Sequence, residues 1–210
     1  MAAELNKVEV DLSIAGQSYY LVELKLTQRF NTHHTFQAIV DYEELDNNWM
    51  ESPGKVIQLI GQDANIEMKH KDGSGLNLFS GIVTNVTYIG RHGQQNHIQI
   101  QGCSPTIRLD GTKTMDSFMD KTLSSIVSEA VGNSGNGASV TPSPVFSGQI
   151  DYICQYEETA FEFLNRLSWI YGEWFFYDGT TCYFGKPGSG GSATVTYDSE
   201  MTEFSFSANM

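Results

Sequence analysis

The chain has few cysteines, few prolines and few basic residues. Its 210 residues include three cysteines, Cys103, Cys154 and Cys182, which form no Cys-x-x-Cys pair. An odd number of widely spaced thiols argues against a disulfide framework and against a zinc site of standard spacing, so we expect buried free thiols. Hydrophobic residues make up 40% of the chain, which predicts a folded globular protein of one large or two small domains.

The charge balance is strongly acidic, with 12 Lys and Arg against 25 Asp and Glu and a formal net charge of -13. A nucleic-acid-binding protein needs basic surface to displace counterions, and anionic lipids also attract basic segments. We therefore expect no nucleic-acid partner and no stable membrane anchoring. The acidic residues are interpreted as a solvated surface, with the attraction of a basic partner as the alternative.

The sequence also lacks a long apolar run. No stretch approaches the roughly 20 residues that cross a bilayer as a helix. The N-terminal MAAELNKVEV enters an alternating strand directly, without a basic segment followed by an apolar one, so we expect no secretory signal peptide. The protein is expected to be made in the cytoplasm and either to stay there or to leave by a route that needs no such signal.

Sequence motifs of catalysis and cofactor binding are missing as well. The segments nearest to a Gly-x-Ser-x-Gly nucleophile elbow are Gly73–Gly75 and Gly188–Gly190, and both are interpreted as turns. No phosphate-binding loop or dinucleotide fingerprint occurs. We therefore expect no cofactor and no enzymatic activity.

The histidines do not have the spacing of a metal site. His33 and His34 are adjacent, so on a strand they point to opposite faces. His92 and His97 flank a predicted turn, but no third ligand is near them in sequence. We interpret all four as structural or solvated and expect no metal site.

Three further groups have both a structural and a functional interpretation. Glu157-Glu158 suits a helix start better than a glycosidase carboxylate pair. Residues 174–177, Trp-Phe-Phe-Tyr, suit a core strand better than a sugar or peptide site. A third group is an acidic cluster, which we interpret as part of a solvated loop rather than as a calcium site. It consists of Asp41, Glu43, Glu44 and Asp46. No catalytic, cofactor-binding or metal-binding residue is therefore assigned.

Short alternating segments dominate the first half of the chain. Strands are predicted at residues 8–14, 20–26, 35–42, 56–60, 65–70, 76–89 and 96–102. The first two are expected to pair as a hairpin, and the long sixth strand is expected to bend near Gly81. Seven short strands with turns between them predict a small closed or nearly closed β-barrel over residues 5–103.

The second half mixes helices with strands. Apolar residues at helical spacing predict a helix near residues 122–131 with Asp120 or Thr122 as its cap. A second helix is predicted over residues 160–171, where Thr159 and Glu162 have the spacing of a capping box and Gly172 suits a left-handed C-terminal cap. Residues 104–210 are thus predicted to form an α+β domain, and the fold class to be mainly β with an α+β insertion.

Around this second helix the order of elements is distinctive. A strand at residues 152–156 precedes the helix, an aromatic strand at 174–177 follows it, and Asp178-Gly179 predicts a two-residue hairpin turn with residues 182–184 as the returning strand. Residues 193–197 and 203–207 are predicted to be the last strands.

This stretch resembles VgrG, the spike protein of type VI secretion, and the related baseplate hubs of contractile phage tails. In that family a Gln-Tyr-x-Glu strand precedes a Phe-x-Phe-Leu-x-Arg-Leu helix, a glycine and an aromatic strand. The matching positions are Gln155, Tyr156, Glu158, Phe161, Phe163, Leu164, Arg166, Leu167, Gly172, Phe175, Tyr177 and Asp178. Residues 79–83, Phe-Ser-Gly-Ile-Val, resemble the family's Phe-x-Gly-x-Val strand, and the likeness extends from about residue 5 to the end.

The resemblance implies a structural role. Hubs of this family are homotrimers in which two barrels per subunit build a pseudo-sixfold ring, and the ring adapts a hexameric tube to a trimeric, membrane-puncturing spike. The implied partners are the tube protein, spike-tip or effector proteins and other baseplate proteins. The implied route is export as part of the injection machine.

The resemblance also defines what the sequence does not contain. The family's second barrel, oligonucleotide-fold neck and β-helical spike are expected beyond residue 210, so the chain is interpreted as truncated before the second barrel, and without the spike it is compatible with a monomer. The first alternative is a stand-alone carbohydrate- or peptide-binding β-barrel module, which predicts an exposed aromatic platform. An enzyme fused to a hub is the second alternative.

Overall fold

The computed structural model describes residues 8–41, 57–70, 77–89 and 97–186. The strands are β1 (Val8–Ile14), β2 (Gln17–Tyr19), β3 (Leu21–Thr27), β4 (Thr35–Asp41), β5 (Asp63–His70), β6 (Asn77–Ile89), β7 (His97–Cys103), β8 (Thr114–Thr122), β9 (Thr141–Ser143), β10 (Gln149–Glu158), β11 (Phe175–Tyr177) and β12 (Cys182–Gly185). The helices are α1 (Leu123–Asn133) and α2 (Ala160–Tyr171), and a 3-10 helix spans Pro105–Leu109.

Strands β1 to β7 form one antiparallel sheet in the order β2-β1-β5-β6-β7-β4-β3. Side chains alternate across it, as the sequence pattern predicts: in β4 the side chains of Phe36, Ala38 and Val40 are buried and those between them are more exposed. This alternation places one face of the sheet on the core and the other toward solvent.

The sheet is not closed into a barrel, so of the predicted closed or nearly closed barrel the closed form is wrong. Its two edge strands, β2 and β3, are consecutive in the chain and meet at Tyr20, but among the described residues they are not paired with each other. β2 pairs with β1 over only three residues, and the chain then continues as β3, which pairs with β4.

Local backbone geometry corrects three further predictions. The hairpin partner of β1 is β2, not residues 20–26, because those residues pair with β4 as β3. In the described part of the predicted strand 56–60, Ile57 is helical and residues 58–60 form a turn, with a hydrogen bond of 3.1 Å from Ile60 N–H to Ile57 O. In β6 the irregularity lies between Val83 and Asn85 rather than at Gly81.

The start of β6 extends beyond β7 and forms an overhang of the sheet. β6 pairs with β5 along residues 77–82 and with β7 only along residues 82–89. The start of β6, around Leu78 to Ser80, therefore has no strand of the sheet on its β7 side.

Between residues 104 and 186 the structure describes two small sheets and the two helices. β8 and β10 form an antiparallel two-stranded ribbon, and β11, β12 and β9 form a three-stranded sheet in which β12 and β9 run parallel. The ring of Phe118 in β8 stacks on Phe163 of α2 at a centroid distance of 5.6 Å. One face of the ribbon is thereby covered by a helix. The predicted strands at 193–197 and 203–207 lie outside the described residues.

The helix ends agree with the sequence pattern. Thr122 caps α1, and its side chain accepts a hydrogen bond from Ser125 N. Thr159 and Glu162 form the predicted capping box of α2, with bonds of 3.1 Å from Glu162 N to Thr159 Oγ1 and 2.9 Å from Thr159 N to Glu162 Oε2. Gly172 ends α2 in the left-handed region at φ 67°. Since each cap involves residues only a few positions apart, both helix starts and the end of α2 are predictable from local sequence.

The buried side chains form a continuous core from the large sheet to α1, α2 and the three-stranded sheet. Cys103 and Cys182 are buried free thiols, as predicted, whereas Cys154 is only half-buried. No helix within the described residues is long and apolar enough to cross a membrane. The predicted fold class, mainly β with an α+β part, is confirmed.

Candidate functional site

A hydrogen-bonded polar cluster lies where the large sheet meets the α+β half. His33, just before β4, contacts Thr106 Oγ1 through Nδ1 at 2.8 Å and Asp110 Oδ2 through Nε2 at 3.0 Å. Asp110 Oδ1 accepts the hydroxyl hydrogen of Thr159, the N-cap of α2, at 2.6 Å. Through Asp110, one carboxylate thus ties the sheet to the first turn of the helix.

The electrostatics of Asp110 favour its charged form. Partial burial acts to raise the pKa of Asp110, but the hydrogen bonds from Thr159 and His33 outweigh burial and hold the pKa below its usual value. Lys113 Nζ, 3.5 Å from Glu162 Oε2, adds a cation nearby. We therefore expect Asp110 to be ionised at neutral pH.

Thr106, His33 and Asp110 have the order of a hydroxyl–imidazole–carboxylate triad, but their environment argues for a structural role. Thr106 is only 5% exposed, and its hydroxyl is also 2.6 Å from Ser104 Oγ. The His33 ring lies on Phe161 at a centroid distance of 3.9 Å. The neighbouring pocket has a volume of about 200 Å³, below the roughly 300 Å³ at which ligand pockets begin.

His34 lies deeper in the same junction. Its Nε2 is 3.2 Å from Arg29 O and its Nδ1 is 3.4 Å from Gln28 Nε2. Its ring faces Phe79 and Tyr177 at centroid distances of 6.3 and 5.6 Å. Burial lowers the pKa of His34, the bond to Arg29 O acts in the opposite direction, and the charge of His33 lowers the pKa further. His34 is therefore held neutral.

The β11–β12 hairpin closes the junction from the other side. Tyr177 Oη donates to Ser80 O at 2.8 Å, and Ser80 N–H donates to Gly179 O at 2.6 Å. Burial raises the pKa of Tyr177 and, with the charge of Asp178, raises the pKa of Cys182 to about 12. Through the two hydrogen bonds to Ser80, the hairpin occupies the open edge at the start of β6.

The hairpin itself is confirmed, but its turn is longer than the predicted two residues. Asp178 N–H donates to Thr181 O at 3.0 Å, and Asp178 Oδ1 accepts from the backbone N–H groups of Thr180 and Thr181. Gly179 has φ 114°, and a Cβ there would lie 2.3 Å from Leu78 O. The close approach to β6 and the positive φ both require a glycine at position 179.

The other residues considered from sequence are dispersed. Glu158 binds Arg166 through two hydrogen bonds of 2.7 Å and precedes the α2 N-cap, whereas Glu157 is exposed beside it at φ 50°. His97 Nδ1 is buried without a hydrogen-bond partner, and His92 lies outside the described residues, as do Glu43, Glu44, Asp46, Ser74 and Ser189. Within the described ranges, no three His, Cys, Asp or Glu side chains are grouped to hold a metal ion.

The aromatic strand divides between core and surface. Phe175 and Tyr177 are buried, as the core interpretation predicts. Phe176 and Trp174 instead contact Phe30, whose ring centroid lies 5.0 Å from that of Trp174, and the rings of Phe30 and Trp174 are both exposed. An aromatic surface therefore exists beside the core strand.

Sequence reasoning missed the residues that link the two halves. Asp110 and Thr106 lie 77 and 73 positions from His33, so no spacing rule joins them. The signal that was available is Pro105 at the start of the 3-10 helix, which is typical of a first helical position.

The geometry of the junction identifies no family, but comparison of the sequence with known protein families does. A profile of the family described as phage tail baseplate hub (GPD) matches residues 52–193, more than half of the chain. The chain belongs to the baseplate hub family. The resemblance to hub and spike proteins predicted from the sequence is thereby confirmed. No curated protein matches the sequence.

Solved structures agree with the hub fold. A tail protein from Neisseria meningitidis superposes with a TM-score of 0.64 at 12% identity, over 85% of this chain and 50% of that one. The 43 kDa tail protein of prophage MuSo2 from Shewanella oneidensis gives 0.64 at 18% identity, over 86% and 56%.

A third similar structure comes from E. coli. It is a component of the type VI secretion system with structural similarity to the T4 tail proteins gp27 and gp5, and it gives a TM-score of 0.61 at 14% identity over 87% and 50% of the two chains. At such identities the likeness concerns the fold. The chain spans about half the length of these structures.

Proposed function

We propose that this hub protein is a structural component of a contractile injection machine, which adapts a hexameric tube to a trimeric spike and helps to deliver effectors through a target membrane. The observation that carries the proposal is the hub family match over residues 52–193. The similarity of the fold to an E. coli type VI secretion component supports it. The partners are the tube protein, the spike or effector proteins and the other baseplate proteins, and the protein leaves the bacterial cytoplasm within the machine.

The proposal includes a division of labour along the chain. Residues 5–103 form the hub unit that faces the tube, and residues 104–210 form an α+β insertion beside it. The element order supports this division, because the large sheet ends at Cys103 and, up to residue 186, every later described strand belongs to another sheet. The network at His33 and Asp110 would hold the two units in one orientation under load.

The role can be tested in the bacterium that carries the gene. Sheathed particles are purified from a strain with an epitope tag on the protein, and the copy number per particle is measured by quantitative mass spectrometry. We expect three copies per particle and loss of assembled particles on deletion, with recovery on complementation. Particles that assemble and contract normally without the protein would refute a hub role.

The exposed aromatic rings favour a second candidate, a carbohydrate- or peptide-binding module. Phe30 and Trp174 are exposed, and Phe176 stacks on Tyr183 at 5.4 Å, so four rings adjoin at one surface. Aromatic faces of this kind stack on sugars and peptides. Glycan-array binding that Trp174→Ala abolishes, and that Trp169→Ala at the exposed end of α2 leaves intact, would favour this function.

A further inference from the structure

A row of polar side chains crosses the solvent face of the large sheet. Strand register places Lys25 of β3 opposite Gln37 of β4, and Gln37 opposite Gln101 of β7. Gln101 is in turn paired with Asn85 of β6. Since side chains alternate along a strand, all four lie on the face opposite to the buried ring of Phe36. We call these four residues the polar row.

The amides of the polar row are joined by hydrogen bonds that run in one direction. Asn85 Nδ2 donates to Gln101 Oε1 at 3.0 Å, and Gln101 Nε2 donates to Gln37 Oε1 at 3.4 Å. At the end of this series, Gln37 Nε2 has no hydrogen-bond partner among the residues that the structure describes. Its N–H groups are therefore available to a ligand, on the strand next to Lys25.

The charge of Lys25 is not neutralised by another side chain. Lys25 is exposed and forms no ion pair within the described ranges of the chain. Glu23, the acid on the same face of β3, is two positions and therefore about 7 Å away along the strand. A charge on an edge strand also hinders pairing with another chain. That role would explain Lys25 but not the amides beside it.

The polar row lines a cavity of about 370 Å³, which exceeds the roughly 300 Å³ at which ligand pockets begin. The next cross-strand pair on the same face, Thr27 and Thr35, adds two hydroxyl groups to its wall. Among the described residues that line the cavity, Lys25 is the one with a charge. An apolar ligand would leave these amides and hydroxyls without partners, which is unfavourable. The cavity therefore suits a polar ligand.

The hydrogen-bond donors of the cavity select the charge of that ligand. Lys25 Nζ and Gln37 Nε2 can only donate, and the hydroxyls of Thr27 and Thr35 can donate or accept. Carboxylate oxygens accept such bonds, and bonds that involve a charged group are the stronger ones. A single cation balances one carboxylate, rather than the nearly double charge of a phosphate group.

We propose that the cavity beside the polar row binds a small monocarboxylate that also carries hydroxyl groups, such as a sugar acid. The carboxylate accepts from Lys25 Nζ and Gln37 Nε2, and the hydroxyl groups bond to Thr27, Thr35 and the rest of the polar row. The proposal does not depend on the injection role, because it concerns a small ligand and not the assembly of the machine.

The test uses the full 210-residue chain and proton–nitrogen NMR spectra recorded during titrations. Glucuronate, galacturonate and gluconate are the carboxylate probes, glucose is the neutral probe and glucosamine is the cationic one. We expect the carboxylates to cause saturable shifts of the backbone signals of residues 25–27 and 35–37. Glucose should bind at least about tenfold more weakly, and glucosamine should not bind. Added salt should weaken the binding of the carboxylates.

Variants separate the charge from the amide. Lys25→Gln should reduce the affinity for glucuronate to that for glucose, because the cation is lost. Gln37→Leu should weaken glucuronate binding but leave its salt dependence, because Lys25 remains. Lys186→Gln is the matched control, since it removes the same charge from an exposed lysine that follows β12. Far-ultraviolet circular dichroism checks that each variant is folded.

Four results would overturn the proposal. Without a saturable shift from any of the three carboxylates, the polar row would be only a side-chain ladder of the sheet. Equal affinities for glucuronate and glucose, or glucuronate binding that Lys25→Gln leaves unchanged, would remove the cation from the site. Shifts confined to residues 174–183 would place the ligand on the aromatic surface of β11 and β12 instead. Each of these results leaves the hub role untouched, because particle assembly tests that role.

Discussion

At the residue scale, the junction depends on a few side chains that serve two elements at once. Thr159 is the clearest example, because its hydroxyl accepts from Glu162 N within the α2 cap and donates to Asp110 from the 3-10 helix region. The capping role is readable from local sequence. The bond to Asp110 is not, because the two residues lie 49 positions apart.

Thr159→Ala should therefore cost more stability than an ordinary cap. Loss of an N-cap side chain costs about 1 kcal/mol, and the hydrogen bond to the charged Asp110 adds about 1.5 kcal/mol or more. The comparison is Thr122→Ala, which removes the exposed cap of α1 with its 3.3 Å bond to Ser125 N. Urea unfolding at neutral pH measures both free energies. Equal losses would show that the Asp110 bond contributes nothing.

The lowered pKa of His34 predicts how the stability of the folded protein changes as the pH falls. Its pKa in the folded protein is lowered by burial, so the unfolded chain binds a proton at higher pH than the folded chain does. Stability should therefore fall as the pH drops through about 6.5, the pKa of an unfolded histidine. Asp110 adds a separate loss at lower pH, because its pKa is lowered and its contribution disappears only when the folded carboxyl is protonated.

Thermal unfolding between pH 7.5 and pH 5 separates the two groups. We expect His34→Gln to lower stability at neutral pH but to flatten the decline between pH 7.5 and pH 5. His97→Gln is the control, since His97 lies on β7 away from this junction. A decline of the same steepness in His34→Gln would assign the effect to other residues.

At the element scale, α2 organises the α+β half, because it covers the inner face of the β8–β10 ribbon and contacts the 3-10 helix, β11 and β12. Its sequence signals are strong and local, so its bounds and caps were predicted correctly. β8 was missed. Its segment Thr-Met-Asp-Ser-Phe-Met-Asp-Lys-Thr places Met115 and Met119 on one face and Phe118 on the other, so the alternation that marks a half-buried strand is absent.

Phe163 tests the importance of that helix face. Phe163 is fully buried, stacks on Phe118 and lies under the Arg166 guanidinium at 5.1 Å. Phe163→Ala should lower the free energy of unfolding by about 3–5 kcal/mol. Trp169→Ala on the same helix, at 78% exposure, should change it by no more than about 0.5 kcal/mol. Chemical denaturation of both variants gives the comparison, and a similar loss in each would contradict the assigned burial.

At the scale of the whole molecule, periodicity predicts six of the seven described strands of the first half, all except β2, and both described helices of the second half. The pairing order does not follow from periodicity, because it depends on contacts between distant segments. β1 pairs with β2 and β5, and β3 pairs with β4, so residues 20–26 do not form the expected hairpin with β1, and of the expected closed or nearly closed barrel the closed form is excluded. The hub family itself was predictable because its motif around α2 is local.

Gly179 tests how firmly the two halves are joined. A side chain at φ 114° is strained, and its Cβ would lie 2.3 Å from Leu78 O, so Gly179→Ala should cost about 2–3 kcal/mol or more. Gly16→Ala is the control, since Gly16 has φ 81° but nothing within 4 Å of the added Cβ, and should cost about 1–2 kcal/mol. Guanidinium unfolding followed by tryptophan fluorescence measures both. Equal costs would show that the hairpin moves away from β6 without penalty.

The overhang of β6 also has a consequence during synthesis on the ribosome. Ser80 is synthesised 97 residues before Tyr177, whose hydroxyl donates to its carbonyl oxygen. At the usual rate of 5–20 residues per second, this delay is roughly 5–20 s. During that interval the backbone of Leu78 to Ser80 is an unprotected strand edge, open to pairing with another nascent chain. Ribosomes translating one message therefore expose this segment side by side, and the arrival of the hairpin ends the exposure.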